Sequence, residues 1–276
     1  MDGRSRELRR GFGIVGRSRP GMMPFTGSIG LDSLSNSVHV WIVRLKGQDT
    51  CFDHCQAMLN ERELHRASRF YYEPLRRTFT LSHGCLRALL GLYLGVPPQD
   101  VEFGYGVRSK PFIEKPVTDL RFNQSDSGDL VAFAFTAGCE IGVDIEENRP
   151  LSDLESVVAN VFTPREIVEL CGIDSPLQQE AFFATWTRKE AYVKALGDGL
   201  MIPTDSFRVT VCPKAEVPRV YFDKRSATVD DWQLHSFHPS PGYLGAIAYR
   251  GVRREMHIGP VVEASILLSP RVPGRA

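Results

Sequence analysis

From residue 38 onward, apolar and polar positions fall into regular periods. Residues 38–45 alternate as a strand does, sending successive side chains to opposite faces. Residues 52–70 and 76–93 repeat at helical spacing, the second richly apolar and closed by Gly95 and Pro97-Pro98. Short strands are predicted at 101–103, 120–123 and 130–136, and another starts at Ile141. Helices are predicted over 152–160, over 164–170 with Thr163 as N-cap and Pro164 at the first helical position, and over 176–196. The last third reads as strands at 207–211, 219–222, 232–237 and 243–249.

A faint repeat runs through this order. Leu120, Gly128, Leu130, Ala132 and Ala134 match Leu234, Gly242, Leu244, Ala246 and Ala248 at one offset. Val40, Ile42, Arg62-Glu63, Phe79 and Ala88 match Val143, Ile145, Arg165-Glu166, Phe182 and Ala191 at a slightly shorter one. In that register Asp144, Glu146 and Glu190 correspond to Trp41, Val43 and Arg87, so only the second half carries an acidic set. The expected division is a basic leader at 1–37, an N-terminal half at 38–139, a C-terminal half at 140–252 and a tail at 253–276. The leader carries six arginines among Gly, Pro and Ser without an apolar period, and it is expected to be disordered.

The second half contains the chemistry. In Ile141-Gly142-Val143-Asp144-Ile145-Glu146 the two acids share one face of a strand. In Trp186-Thr187-Arg188-Lys189-Glu190-Ala191-Tyr192-Val193-Lys194, residues Trp186, Glu190 and Lys194 follow one helical stripe. Three carboxylates and an ammonium can therefore converge where strand and helix pack. Mg²⁺ favours a few carboxylate oxygens plus substrate phosphates, and a lysine can hold remaining phosphate charge. Each element alone has a plainer reading. The acids could mark a solvated strand end, and Trp186 with Phe182 and Phe183 could be core packing. Glu190 with Lys189 or Lys194 could be surface pairing worth about a few tenths of a kcal/mol.

Bulk properties narrow the classes. The 276 residues suffice for one large domain or two small ones, and the 42% hydrophobic content is that of a chain with a real core. Lys+Arg and Asp+Glu balance at 33 each, which gives no support for bulk nucleic-acid binding. No apolar run reaches bilayer length, so no membrane partner is expected. Six scattered cysteines lack zinc-ligand spacing and read as free thiols in a reducing cytoplasm.

The two segments resemble the signature motifs of the 4′-phosphopantetheinyl transferases, most closely the larger, surfactin-synthetase-activating class. Lys110-Pro111-Phe112 and Arg121-Phe122-Asn123-Gln124-Ser125-Asp126-Ser127-Gly128 agree with that class as well. The resemblance covers about residues 38–250. It implies an α+β fold of two similar halves, an intramolecular pseudo-dimer with its active site at the junction, and hence a monomer. It implies that coenzyme A donates its phosphopantetheine arm to a serine of an acyl or peptidyl carrier protein. By that likeness Asp144, Glu146 and Glu190 hold Mg²⁺, Lys194 steadies a phosphate, and Asp144, Glu190 and Lys194 form the catalytic set. Glu190 is also the candidate base, and its role as ligand or base stays open. The resemblance further places Lys110, Ser125, Arg77, Thr78, Arg62 and Arg66 at the nucleotide end of coenzyme A. The arginines could equally form a solvated helix face.

One position departs from the class, which usually has histidine where this chain has Asp126. An ionised aspartate repels a phosphate. The expectation is that Asp126 turns away and helps to cap the Ser127-Gly128 turn. Two other readings stand beside the transferase: a catalytically weak coenzyme A or carrier-protein binding module, and a metal-dependent nuclease or phosphohydrolase.

Overall fold

The computed structural model describes residues 31–106, 110–150, 154–197, 203–222 and 231–269. In chain order these form α1 (Leu31–Leu34), β1 (Ser37–Arg44), α2 (Phe52–Met58), α3 (Glu61–Ser68), α4 (Glu73–Leu94), β2 (Glu102–Tyr105), β3 (Pro111–Lys115), β4 (Leu120–Ser127), β5 (Leu130–Ala137) and β6 (Ile141–Glu147). Then follow α5 (Leu154–Val161), α6 (Pro164–Cys171), α7 (Ser175–Leu196), β7 (Arg208–Val209), β8 (Val220–Tyr221), β9 (Trp232–Phe237), β10 (Tyr243–Arg250), β11 (Glu255–Glu263) and α8 (Ala264–Leu267).

The fold is mixed α+β. One sheet runs β11-β1-β5-β4 and a second runs β6-β10-β9, with two small ribbons, β2-β3 and β7-β8. Period-two patterning decides what each face meets. Trp41, Val43, Val131, Phe133 and Phe135 pack with Leu86, Leu89 and Tyr93 of α4. The opposite face, Val38, Val40, Ile42, Ala132 and Ala134, meets Ile141, Val143, Ile145, Ile247 and Tyr249 of the second sheet. Ala246 and Ala248 lie under Ala191, Tyr192 and Ala195 of α7. The order of layers is helix, sheet, sheet, helix. At the seam, side chains of β4 take the place of a backbone ladder: Val143 N–H donates to Asn123 Oδ1 at 2.9 Å and Glu147 N–H to Ser127 Oγ at 3.1 Å.

Several expectations shift. The helix expected over 52–70 is two, because Asn60 is extended and caps α3: it accepts from Glu63 N–H while Glu63 accepts from Asn60 N–H. Thr163 and Glu166 build the same box on α6. Strand β3 is an addition, and α1 falls inside the segment assigned to the leader, whose residues 1–30 lie outside the described ones. In the segment read as a tail, β11 pairs in parallel with β1 as an edge strand, with a register shift opposite Val40/Ile42. Gly259-Pro260 lies at that irregularity, a position that suits proline because an edge strand need not donate on both sides.

The order strand, helices, 22-residue helix, ribbon, two strands occurs twice, at β1–β5 and β6–β10. The longer-offset repeat register holds for Leu120 and Leu234, which each face the long helix of their half, and needs correction by one residue for β5 and β10. Ala132 and Ala134 face the inter-sheet core, whereas Ala246 and Ala248 face α7. A one-residue slip flips every side chain, and the β4–β5 and β9–β10 turns differ in length. On the long helices, Arg87 pairs with Glu63 as Lys189 pairs with Glu166, so Arg87 matches Lys189 in role rather than Glu190.

Candidate active site

Gly142 lets strand and helix approach. A Cβ there would lie 2.0 Å from Ala191 O and 2.5 Å from Ala195 N, so β6 and α7 are in direct backbone contact. That contact delivers Lys194 to Asp144: Nζ donates to Asp144 Oδ1 at 2.6 Å and to Ser125 Oγ at 3.0 Å. Ser125 Oγ itself donates to the same carboxylate oxygen at 2.8 Å. Two residues further along each strand, Ser127 Oγ donates to Glu146 Oε2 at 2.6 Å. Strands β4 and β6 and helix α7 thus bring together Ser125, Asp144, Glu146 and Lys194, with Glu190 one helical turn before the lysine.

The acids share a buried environment. Burial raises Asp144 above the usual carboxylate range, against the opposing charge and hydrogen bond of Lys194. Burial also raises Glu190, and the charge of Asp144 adds to it. Glu146 is raised by burial, against its hydrogen bond from Ser127. Asp144 Oδ2 is buried and has no hydrogen-bond partner among the described residues. The three acids therefore feel one another's charge. Yet among the described residues no three acidic, imidazole or thiol groups are gathered closely enough to hold a metal ion. In this arrangement Lys194 neutralises Asp144. The donor set, an orphaned carboxylate oxygen beside two further acids of raised pKa, has the hard-oxygen chemistry that suits a divalent cation.

A cleft of about 510 Å³ opens beside this group, between α4, β4, Tyr105 and the end of α7. Arg66, Thr78, Lys110 and Lys194 line it. Lys110 is tied down: its Nζ reaches Glu140 Oε2 at 2.8 Å and the Lys194 carbonyl at 2.9 Å. Arg62 stacks on Tyr105, 3.6 Å from the ring centre, and lines an adjoining cavity of about 330 Å³. Arg77 is not brought to the cleft. It pairs with Asp49 and lies over Phe52 at 4.5 Å, because it projects from α4 about 100° away from its neighbour Thr78.

Asp126 does not turn away. It is exposed and lines the cleft with Phe122 and Gln124, since Ser125 takes the other face of β4. Sequence reasoning also missed Phe79, Ser82 and His83. His83 is held by Glu63 at 2.9 Å and stacked on Phe79 at 3.9 Å. The spacing Thr78/Ser82 and Phe79/His83 on α4 was the available signal.

A family model described as the 4′-phosphopantetheinyl transferase superfamily matches residues 140–248, the stretch that carries both signature segments. The 4′-phosphopantetheinyl transferase HetI of Nostoc sp. is 36% identical over 223 residues, 80% of this chain and 91% of that protein. The chain belongs to the 4′-phosphopantetheinyl transferase family. The transferase Sfp of Bacillus subtilis is 29% identical over 182 residues, 66% of this chain and 78% of that one. AcpT of Escherichia coli K12 is 38% identical over 111 residues, 40% and 55% of the two chains.

In this phosphopantetheinyl transferase the rest of the helical signature holds the fold. Trp186 packs near Phe182, with 6.0 Å between ring centres. Arg188 donates to the Thr210 and Cys212 carbonyls at 2.6 and 2.9 Å. Lys189 is fully buried, not a surface partner of Glu190. It is bound to Glu166 at 2.8 Å and to the Thr204 and Phe207 carbonyls at 2.6 and 2.7 Å.

Proposed function

We propose that this protein transfers the 4′-phosphopantetheine arm of coenzyme A to a serine hydroxyl of an acyl or peptidyl carrier protein, releasing adenosine 3′,5′-bisphosphate. The observation that carries the reading is the contact of Asp144 with Lys194, which lines the end of the cleft, beside Glu146 and Glu190, in a chain of this family. The partner's serine oxygen forms the new bond to the phosphorus that bears pantetheine, and the phosphoanhydride bond to the nucleotide breaks. Glu190, one helical turn before Lys194, would take the serine proton. Lys194 is placed to exchange Asp144 for a phosphate oxygen. Asp144, Glu146 and Glu190 would hold Mg²⁺, which supplies neutralisation of the charge that builds on the pyrophosphate.

Arg66, Thr78 and Lys110 would surround the nucleotide end, with Arg62 at the rim of the neighbouring cavity, while Ser125 would stay with Asp144 and Lys194 on the other face of β4. The halves 38–139 and 140–252 would form an intramolecular pseudo-dimer with the site at their junction, a monomeric design supported by the recurring element order. The cysteines within the described residues are free thiols, which suits a cytoplasmic enzyme, and among those residues no helix is long and apolar enough to cross a membrane.

The test is release of adenosine 3′,5′-bisphosphate from coenzyme A in the presence of an apo carrier protein. Release is expected only with Mg²⁺ and with the carrier serine intact. Coenzyme A binding without release would favour instead the binding module, a reading to which Asp126 in the cleft lends its one support.

A further inference from the structure

Strand β4 holds both acids of β6 through serines. Ser125 Oγ donates to Asp144 Oδ1 at 2.8 Å, and Ser127 Oγ donates to Glu146 Oε2 at 2.6 Å. The serines lie two apart and share the face of β4 that meets β6. Each hydroxyl is engaged on both sides. Lys194 Nζ donates to Ser125 Oγ and Glu147 N–H donates to Ser127 Oγ, while the hydroxyl proton goes to the carboxylate, which only accepts. Each acid thus has one oxygen held. The other, Asp144 Oδ2 or Glu146 Oε1, has no hydrogen-bond partner among the described residues. Ser127 is itself anchored. Gly128 follows it at φ 56°, and a Cβ there would lie 2.5 Å from Tyr243 Oη and 2.6 Å from Glu147 Oε2. Tyr243 Oη also accepts from Asp129 N–H at 3.2 Å, so two side chains of the second sheet clamp the turn that carries Ser127. A long, rotamer-rich glutamate side chain is costly to order at the moment of binding, and a rigid donor removes that cost in advance.

Resting on the proposed function, we infer that Ser127 is a positioning residue: it fixes one oxygen of Glu146 so that the other stays presented to the divalent cation the acids would hold. Ser127 acts through Glu146 and is not itself a ligand. Removing its hydroxyl leaves Glu146 present but free to turn, and the loss of an orienting partner of this kind typically costs about 10–100-fold in metal affinity.

The experiment titrates Mn²⁺ against the protein in the presence of coenzyme A, reading free Mn²⁺ by electron paramagnetic resonance and subtracting the binding of coenzyme A alone. Wild type, Ser127→Ala, Ser127→Thr, Glu146→Ala and the Ser127→Ala/Glu146→Ala double variant are compared, each checked for folding by circular dichroism. Ser127→Ala is expected to weaken Mn²⁺ binding about tenfold, and Ser127→Thr, which keeps the hydroxyl, to restore it. In the Glu146→Ala background the same Ser127→Ala change should have no further effect, because the group it orients is gone. Should Ser127→Ala not fold, Ser127→Cys takes its place, since a thiol fills the site with a much weaker donor. Unchanged affinity without the hydroxyl, an equal loss in the Glu146→Ala background, or no Mn²⁺ binding by wild type overturns the inference. Absence of phosphopantetheine transfer alongside the expected Mn²⁺ pattern would sink the functional reading and uphold the positioning role.

Discussion

Replacing Gly142 by alanine adds one methyl group at the tightest point between β6 and α7. The new Cβ would sit 2.0 Å from Ala191 O, 2.5 Å from Ala195 N and 3.0 Å from Lys194 C. All three are backbone atoms, so no side chain can rotate aside. Helix α7 must retreat by about 1 Å to reach the shortest real contacts, opening a seam that is otherwise close-packed. Overpacking of this kind costs about 1–3 kcal/mol, and a rigid helix at the contact puts the expected loss at the upper end. The same retreat carries Lys194 away from its 2.6 Å contact with Asp144, so transfer should fall together with stability. Urea unfolding followed by circular dichroism, with transfer measured on the same preparations, checks both. Alanine also suits a strand better than glycine. An unchanged or raised urea midpoint with normal transfer would therefore refute the claim that direct strand–helix contact builds the site.

Glu190→Gln should nearly abolish transfer while leaving the fold intact; turnover like wild type would remove its assigned role. The pH dependence of stability follows from the raised pKa of Glu190. A raised carboxylate pKa favours the fold below the unfolded pKa, and that contribution is lost as pH rises through the folded one. Metal-free wild type should thus gain melting temperature relative to Glu190→Gln as pH falls from neutrality into the carboxylate range; parallel curves would contradict this. Lys189→Met leaves Glu166 buried without its ion pair, and it should cost about 3–5 kcal/mol in denaturant unfolding; an unchanged midpoint would contradict this. Arg77→Ala should leave the KM for coenzyme A unchanged, since this arginine engages Asp49 and Phe52; a several-fold rise would place it in the cleft after all.

The parts of the molecule legible in its sequence are those where period and chemistry agree. Strand β6 and helix α7 are both long and regular, and their acids and lysine fall on faces that packing then brings together. The break at Asn60 was hidden because apolar spacing continues through it while the capping side chain decides the backbone. Strand β11 was hidden by Gly259-Pro260, which argues against a strand unless the strand is known to be an edge. The burial of Arg188 and Lys189 was hidden because a carbonyl cradle from the loops flanking β7 is a tertiary feature with no local signature. Asp126 was readable in principle: once Ser125 faces Asp144, alternation alone sends Asp126 into the cleft with Gln124 and Phe122. Arg77 points away from the cleft for the same geometric reason on a helix, where adjacent residues do not share a face.

The most direct test of the central claim is intact mass spectrometry of an apo carrier protein after incubation with the enzyme, coenzyme A and Mg²⁺. The account predicts a phosphopantetheine-sized gain on the carrier that is lost with Asp144→Ala, with EDTA, and when the carrier serine is alanine. Absence of any gain across several carrier classes, or a gain that persists with Asp144→Ala, would contradict it.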